Sequence, residues 1–423
     1  MTHIIKTMLL AGIICSPTTS IYAEDIEGRE VIDDEPVKEV KADISSESVM
    51  TPDDEASESG FFTSIINREM EKAMSNTSLA AAPPDGTPVL GRKLTDYVTA
   101  PKFGGYIIEK YAYTDKEGAK GGDGFNLRLV RLYLDGSILT DFKYRVQLQV
   151  NGMPGSNTGA RIVDAYMEWA KYKEFSVKLG QFKRAFTFEN PYNPWDVGAG
   201  DYALAVNKLA GLTADYNGAI PSGGRDQGIQ LQGDLFPSKA DGHRYLHYQL
   251  AAYNGQGINQ ADKNGKKDLI GTIQVQPVKN LYIGLFGWNG SYTNGALTLD
   301  RNRYAAGVKY ESDWTFRAEY IHSQGHKESE YNAADGSFSG TGKADGWYAT
   351  AGVPCNNWLK LYVKYDAYRD QATWGSLHTI YTICPNIQIH KNLMLQLQYN
   401  YNYDKTSADK KYSQLWAEAY IRF

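Results

Sequence analysis

The residue types that most often carry catalysis or bind metals are scattered along this chain. Its seven histidines form no HExxH motif, no GxSxG motif marks a nucleophilic serine, and no two cysteines are spaced as CxxC. His243 and His247 are four residues apart, as are His322 and His326. That spacing could bind a metal on a helix, but on a strand it merely places both rings on one face. We therefore predict no enzyme activity, no catalytic residues, no metal site and no cofactor.

One stretch of 43 residues, 183–225, stands apart because it is rich in Gly, Asn, Pro and aromatic residues and has no strand periodicity. Structureless loops of this length are usually functional or disordered. The abundant aromatic side chains argue against disorder. Its four basic residues balance its four acidic residues, so the stretch is neutral. The charged residues are Lys183, Arg184, Lys208 and Arg225, and Glu189, Asp196, Asp201 and Asp215.

The elements around this stretch alternate apolar and polar residues with period two from residue 104 onward, which predicts β-strands. The clearest case is 395–404, and the last strand ends on the aromatic Phe423. Tyr and Trp crowd the strand ends, as in the aromatic girdles of membrane barrels. Sixteen strands are predicted. They are 104–113, 125–134, 140–150, 161–170, 175–182, 226–236, 243–254, 268–277, 280–289, 303–311, 314–324, 346–354, 358–369, 376–385, 392–404 and 411–423.

The connections between these strands alternate between short turns and longer loops. Outer-membrane barrels have this rhythm, with short periplasmic turns and longer outer loops. We predict an all-β fold: a 16-stranded antiparallel transmembrane β-barrel with a long inward-folded third loop, preceded by a disordered acidic segment and a short helix. The longer connections are 114–124, 151–160, 183–225, 255–267, 290–302 and 325–345.

Four regions are expected along the chain. Residues 1–23 resemble a signal peptide, and 24–60 carry 14 acidic and 3 basic residues and predict a disordered segment. Residues 61–90 predict a short helix and linker, and 91–423 form the barrel, with 38 basic and 32 acidic residues. The basic residues are dispersed, so nucleic acid is not an expected partner. The expected location is the cell outer membrane of a Gram-negative bacterium, with outer-membrane lipids and the barrel assembly machinery as partners.

Three segments, 125–136, 180–190 and 223–231, resemble the phosphate-selective porin O and P family of outer-membrane channels, and the likeness covers roughly 91–423. The resemblance implies a trimeric porin of sixteen strands whose third loop forms the constriction. It also implies that fixed arginines and a constriction lysine replace the lost hydration of an anion in a narrow lumen.

The residues that match this pattern are all basic. Strand alternation adds further cations on the inferred lumen face. Arg128 and Arg131 are an odd number of residues apart, so both can face inward only if a bulge or a rim position intervenes. Each cation could instead pair with an inward carboxylate such as Asp164, Glu168, Glu311, Glu319 or Asp366. The candidates for the anion pathway are Arg128, Arg131, Lys143, Arg145, Lys178, Lys183, Arg184 and Arg225.

The predicted function is a diffusion channel for small hydrophilic solutes with a weak to moderate preference for anions, phosphate among them. The neutral charge of 183–225 argues against strong phosphate specificity. An alternative is a surface-exposed binding protein or adhesin that uses the barrel as a scaffold and its loops 290–302 and 325–345 for contact. Cys355 and Cys384 remain after signal removal, and the sequence leaves open whether they form a disulfide.

Overall fold

Sixteen antiparallel strands follow one another in the computed structural model, which describes residues 99–119, 123–151 and 159–423. The predicted signal peptide, acidic segment and helix with linker, residues 1–90, lie outside the described residues. The strands are β1 (Lys102–Thr114), β2 (Asp123–Ile138), β3 (Phe142–Gln149), β4 (Arg161–Trp169), β5 (Ser176–Lys183), β6 (Arg225–Pro237), β7 (Arg244–Tyr253), β8 (Asp268–Val278), β9 (Leu281–Asn294), β10 (Leu297–Glu311), β11 (Thr315–Gln324), β12 (Lys343–Pro354), β13 (Leu359–Arg369), β14 (Leu377–His390), β15 (Leu393–Asp404) and β16 (Lys411–Arg422).

Each strand pairs with its neighbours in sequence, and β1 pairs with β16 to close the barrel. Across the closure Ile108 lies opposite Tyr420 and Lys110 lies opposite Glu418. Closure leaves the sheet of the described strands without an unpaired edge, as a sheet in hydrocarbon requires. The predicted closed barrel of sixteen antiparallel strands is therefore confirmed.

The two faces of the sheet have the opposite polarity from those of a water-soluble barrel. Large apolar side chains such as Leu250, Leu269 and Leu285 are 54 to 63 % exposed on the outside. Polar side chains such as Gln149 and Gln396 are buried on the inside. An apolar band outside and a polar lumen inside are the arrangement of a barrel that spans a membrane.

Several sequence-based boundaries need correction. β2 and β14 extend to Ile138 and His390, beyond the predicted ends at 134 and 385. The predicted long loop 290–302 is a β-hairpin. β9 continues to Asn294, β10 already begins at Leu297, and a tight turn at Gly295, where φ is 56°, joins them. The polar run 289–294 masked the strand period there. The long third loop spans 184–224, since Lys183 and Arg225 belong to the strands that flank it.

Helical structure is short in the described part of the chain. One α-helix, α1 (Leu204–Leu209), lies in the third loop, and single 3₁₀ turns occur at Pro194–Asp196, Glu328–Glu330 and Trp374–Ser376. Among the described residues, no helix has the length and apolar character needed to cross a bilayer.

Candidate functional site

The third loop, residues 184–224, is fastened to strands far from its own ends. Its backbone groups at three points bond side chains of β11, β13, β14 and β15. Phe188 N donates to Glu319 Oε1 (2.7 Å), Leu204 N donates to Asp366 Oδ2 (2.5 Å), and Gly198 O accepts from Asn386 (2.8 Å) and Gln396 (3.1 Å). Glu319 and Asp366 are both buried, so these bonds are shielded from water.

Aromatic residues of the loop form a shared apolar cluster with the buried faces of β7 to β13. Phe186 packs edge-on against Trp288 with ring centroids 5.4 Å apart, and Phe188 packs similarly on Phe286 at 5.1 Å. Helix α1 contacts β11, β12 and β13. The sequence-based argument that these aromatic residues oppose disorder agrees with this packing, because each buried ring contributes strongly to apolar burial.

The two ends of the loop are joined by a buried arginine. Arg184 is 2 % exposed and bonds Asp226 Oδ2 at 3.0 Å, and it also donates to Ala210 O at 3.1 Å and Ser222 Oγ at 3.2 Å. Asn190 donates to Gly224 O at 3.2 Å from the same side. These bonds satisfy buried backbone carbonyls that the irregular chain would otherwise leave unpaired.

A second buried charge cluster holds the middle of the loop. Asp215 accepts from Arg303 at 2.8 Å and lies 3.8 Å from Arg301, which also bonds Asp268 at 2.6 Å. The guanidinium carbons of both arginines lie 4.7 to 4.8 Å from the centre of the Trp288 ring. Burial alone would raise the pKa of Asp215, but the charges of Arg303 and Arg301 lower it to about 2.

Sequence reasoning missed this second cluster. Arg301 and Arg303 are two residues apart, which on a strand places both on one face. Arg301 lies in the predicted loop 290–302, where the alternation of side chains typical of a strand was not applied. The signal was therefore present in the sequence, and the error in the loop boundary concealed it.

Five of the eight predicted pathway cations form ion pairs with carboxylates. The alternative reading of the sequence, a partner for each lumen cation, describes their contacts. Two of the expected acids, Asp164 and Glu168, are among the partners. The pairs are Arg128 with Glu418 (2.6 Å), Arg145 with Asp135 (2.6 Å), Lys178 with Glu168 (3.3 Å), Arg184 with Asp226 (3.0 Å) and Arg225 with Asp164 (2.7 Å).

A β-bulge brings Arg128 to the same face as Arg131. In the β1–β2 register Ile108 faces Leu129 and Glu109 faces Leu127, so Arg128 is the additional residue. The sequence required such a bulge or a rim position if both arginines were to face inward. The bulge aims Arg128 at Asp201 in the third loop, 3.3 Å away, while Arg131 bonds Tyr106 Oη at 2.8 Å.

Arg131 and Lys183 differ from the paired cations because their hydrogen-bond partners are uncharged. Arg131 bonds Tyr106 and the Gln149 amide. Lys183 donates to the carbonyl oxygens of Asn190, at 2.8 Å, and Tyr192. Neutral partners satisfy N–H groups without cancelling a positive charge. Asp164 interacts electrostatically with both side chains, and Asp196 does so with Lys183.

Two more basic residues, Lys143 and Arg161, lie on the neighbouring strands β3 and β4. Lys143 on β3 lies opposite Glu168 in the β3–β4 register, and within the described chain it forms no ion pair shorter than 4 Å. Arg161 on β4 was not predicted, and it donates to Pro221 O at 3.4 Å. Electrostatic interaction links Arg161 to Arg131 and Arg225, which places these cations together on the wall formed by β2 to β6.

The histidines and cysteines of the described residues form no comparable centre. Among the described residues, no three His, Cys, Asp or Glu side chains are grouped so that they could bind a metal. Cys384 is a buried free thiol, so it does not form a disulfide with Cys355. Its sulfur donates to Asn386 Oδ1 at 3.3 Å.

The sequence profile described as "Phosphate-selective porin O and P" matches residues 109–352, more than half of the chain. The chain belongs to this porin family. The resemblance stated from the sequence is confirmed. No curated protein matches the sequence.

Solved structures share the fold of this porin at low sequence identity. An anion-selective porin from Comamonas acidovorans is 16 % identical, with a TM-score of 0.58, covering 76 % of this chain and 99 % of that one. The outer membrane channel DcaP of Acinetobacter baumannii is 14 % identical, with a TM-score of 0.55, covering 78 % and 98 %. OmpT of Vibrio cholerae in its trimer form is 10 % identical, with a TM-score of 0.51, covering 78 % and 100 %.

Family and fold together identify an outer-membrane channel protein. They imply the outer membrane of a Gram-negative bacterium as its location. Porins are channels and generally not enzymes, in line with the prediction from the scattered histidines.

Proposed function

We propose that this porin is a diffusion channel for small hydrophilic solutes with a weak to moderate preference for anions, phosphate among them. The single observation that carries the preference is the pair Arg131 and Lys183, two basic residues on the wall whose hydrogen-bond partners are uncharged. An anion that loses water in a narrow passage is stabilised by such fixed charges. Similarity in fold to an anion-selective porin supports the same direction.

The proposed constriction is the third loop, predicted as 183–225 and bounded by the strands at 184–224. Its bonds to Glu319, Asp366 and Gln396 carry it across to strands on the far side of the strand order. Its apolar cluster occupies the side next to β7–β13. In this proposal the passage for solute runs beside the candidate cations on β2 to β6, and the loop meets this wall where Asp201 lies 3.3 Å from Arg128.

The preference is modest because most charges in the passage are compensated. Arg128, Arg145 and Lys178 each have a carboxylate within 3.3 Å. The third loop adds Asp201, whose side chain is 31 % exposed. Such pairs leave small local fields, so they cannot exclude cations strongly.

We further propose a homotrimer, because the OmpT structure similar in fold is described as a trimer form. Outer-membrane lipids surround the barrel in this proposal, and the barrel assembly machinery inserts it. The signal peptide at 1–23, the disordered segment at 24–60 and the helix with linker at 61–90 belong to the same proposal.

The test is the reversal potential of the purified protein in a planar bilayer under a KCl gradient, repeated with phosphate at equal ionic strength. Arg131→Gln is the informative variant, because Arg131 forms no hydrogen bond to the described residues of the third loop. Lys183→Gln retains a donor for the loop carbonyls. We expect both variants to shift the permeability ratio toward potassium, with the larger shift in the double variant.

Lys171→Gln is the control, since Lys171 lies in the turn after β4 and its side chain is 50 % exposed. Its selectivity should equal that of the wild type. Unchanged selectivity in the Arg131 and Lys183 double variant would remove these residues from the pathway. Absence of any stepwise conductance in the wild type would refute the channel itself.

A further inference from the structure

The outer surface of the barrel carries a groove that the channel does not use. It lies across β4 to β7 and has a volume of about 570 Å³. The exposed side chains Ile162, Leu179 and Ile229 form its ridges, and the small residues Ala165 and Ala252 form its floor. All of them face away from the lumen, where a membrane barrel meets hydrocarbon.

The groove becomes polar toward one end. Gln181, Gln227, Asn254 and Asn259 line that end together with Lys267. These residues lie where β5 and β7 end and β6 and β8 begin, on the side of the longer connections. In porins that side faces the cell exterior. The groove therefore runs from hydrocarbon depth to the headgroup level of the outer leaflet.

The polar end is held in a fixed geometry. A bulge in β4 leaves carbonyl groups of Ile162 and Val163 without regular partners, since the register passes from Asp164 to Ile162. Gln181 donates to both carbonyls, at 3.2 and 3.1 Å. Asn259, from the loop 254–267, donates to Ile162 O at 3.0 Å. The loop is thus fastened onto the outer face, directly above the apolar floor.

This loop is cationic. Residues 254–267 contain Lys263, Lys266 and Lys267 but a single acidic residue, Asp262, which pairs with Lys267. All three lysines are exposed. Basic residues at the headgroup level attract anionic lipid headgroups, while an apolar trough accepts an acyl chain.

We propose that this groove binds one phosphorylated, acylated glycolipid of the outer leaflet, of the lipid A class, with an acyl chain packed against Leu179 and Ile229 and a phosphate beside the lysines of 254–267. The ligand is argued from the match of an apolar trough with a cationic end. The proposal depends on location in the outer membrane and is independent of ion conduction.

The experiment is native mass spectrometry of the full-length protein in mild detergent, titrated with diphosphorylated lipid A and, separately, with phosphatidylglycerol. Ala252→Phe fills the floor of the groove. Ala306→Phe is the matched control, because Ala306 is an exposed outward alanine on β10, away from the groove. A triple variant, Lys263→Gln with Lys266→Gln and Lys267→Gln, tests the headgroup contact.

We expect the wild type to retain one lipid A per chain. Affinity should fall at least tenfold in Ala252→Phe and in the triple lysine variant, and should stay within twofold in Ala306→Phe. Equal lipid A affinity in Ala252→Phe and Ala306→Phe would overturn the site. Equal affinity for phosphatidylglycerol would overturn its assignment to a glycolipid.

The groove could instead be occupied by a second copy of the chain. Size-exclusion chromatography with light scattering tests this alternative. A lower oligomeric state in Ala252→Phe, but not in Ala306→Phe, would make the groove a subunit contact and refute the lipid proposal. Bilayer conductance of all variants should equal that of the wild type. A protein that binds lipid A but does not conduct would contradict the proposed function and leave this site intact.

Discussion

Asp215→Asn tests whether buried charge pairing keeps the third loop in place. The wild-type carboxylate is buried and faces Arg303 and Arg301, so the variant keeps the size of the side chain but removes its charge. An uncompensated buried charge is costly, and removal of one partner from a buried pair typically destabilises by about 3–5 kcal/mol. Asn can still accept a hydrogen bond from Arg303, so the loss should lie below that range.

The pKa of Asp215 provides a second estimate of the magnitude. Its ordinary value is 3.8 and the arginines lower it to about 2. That difference corresponds to about 2 to 3 kcal/mol of interaction with the charged form. If the variant loses this free energy from the equilibrium between the closed and the locally open loop, the population of the open loop rises by roughly 30- to 150-fold.

Hydrogen exchange followed by mass spectrometry measures this opening. Backbone bonds such as Tyr216 N to Lys208 O and Leu212 N to Asn207 O report on the loop. In Asp215→Asn their protection should fall by the factor above, while strand amides keep theirs. Asp335→Asn is the control, because Asp335 is exposed in another loop and should leave the protection unchanged.

Acid gives the same test without a mutation. Because the folded pKa of Asp215 is depressed, its contribution is fully present above its ordinary pKa near 4 and is lost as pH falls through about 2. After correction for intrinsic exchange rates, protection of the loop should fall between pH 4 and pH 2 in the wild type. A smaller fall is expected in Asp215→Asn. Equal protection of wild type and variant at pH 7 would refute the reasoning.

Three further predictions concern other contacts. Gly224→Ala should destabilise the base of the third loop and lower barrel yield on refolding, because φ is +74° and a Cβ atom would lie 1.7 Å from Asn190 Oδ1. Arg145→Gln should change reversal potential less than Arg131→Gln, since Arg145 is already neutralised by Asp135 at 2.6 Å. A maleimide should label Cys384 only after unfolding, as peptide mass mapping can show, because the folded thiol is fully buried.

Most of the barrel could be predicted from the sequence because period-two alternation is a strong signal when one face meets lipid and the other meets polar groups. The exception was the β9–β10 hairpin, where Asn289 and Ser291 interrupt the apolar face. The side chains of Asn289 and Asn302 instead bond each other across the two strands at 2.8 Å. A pairing partner thirteen positions away is not visible to a local pattern.

The candidate site was less predictable, because the pairing of each cation depends on residues distant in sequence. Arg184 bonds Asp226, 42 positions later, and Arg225 bonds Asp164, 61 positions earlier. Alternation could place these side chains on a face but could not distinguish a buried structural pair from an exposed charge. The bulge at Arg128 was easier to anticipate. Arg128 and Arg131 are an odd number of residues apart, so both can face the lumen only if a bulge or a rim position intervenes.

We therefore expect charge counting alone to be a poor guide to selectivity in such a channel. The stretch 183–225 is neutral by composition, yet its charges are divided between two environments. Arg184 and Asp215 form ion pairs inside the protein and hold the loop in place. Lys183, by contrast, forms hydrogen bonds only to uncharged groups among the described residues. The field on a solute is strongest where a charge lacks a nearby partner of opposite sign. The selectivity of this porin should consequently follow Arg131 and Lys183 rather than its net charge, and exchange of paired residues should alter stability before it alters permeation.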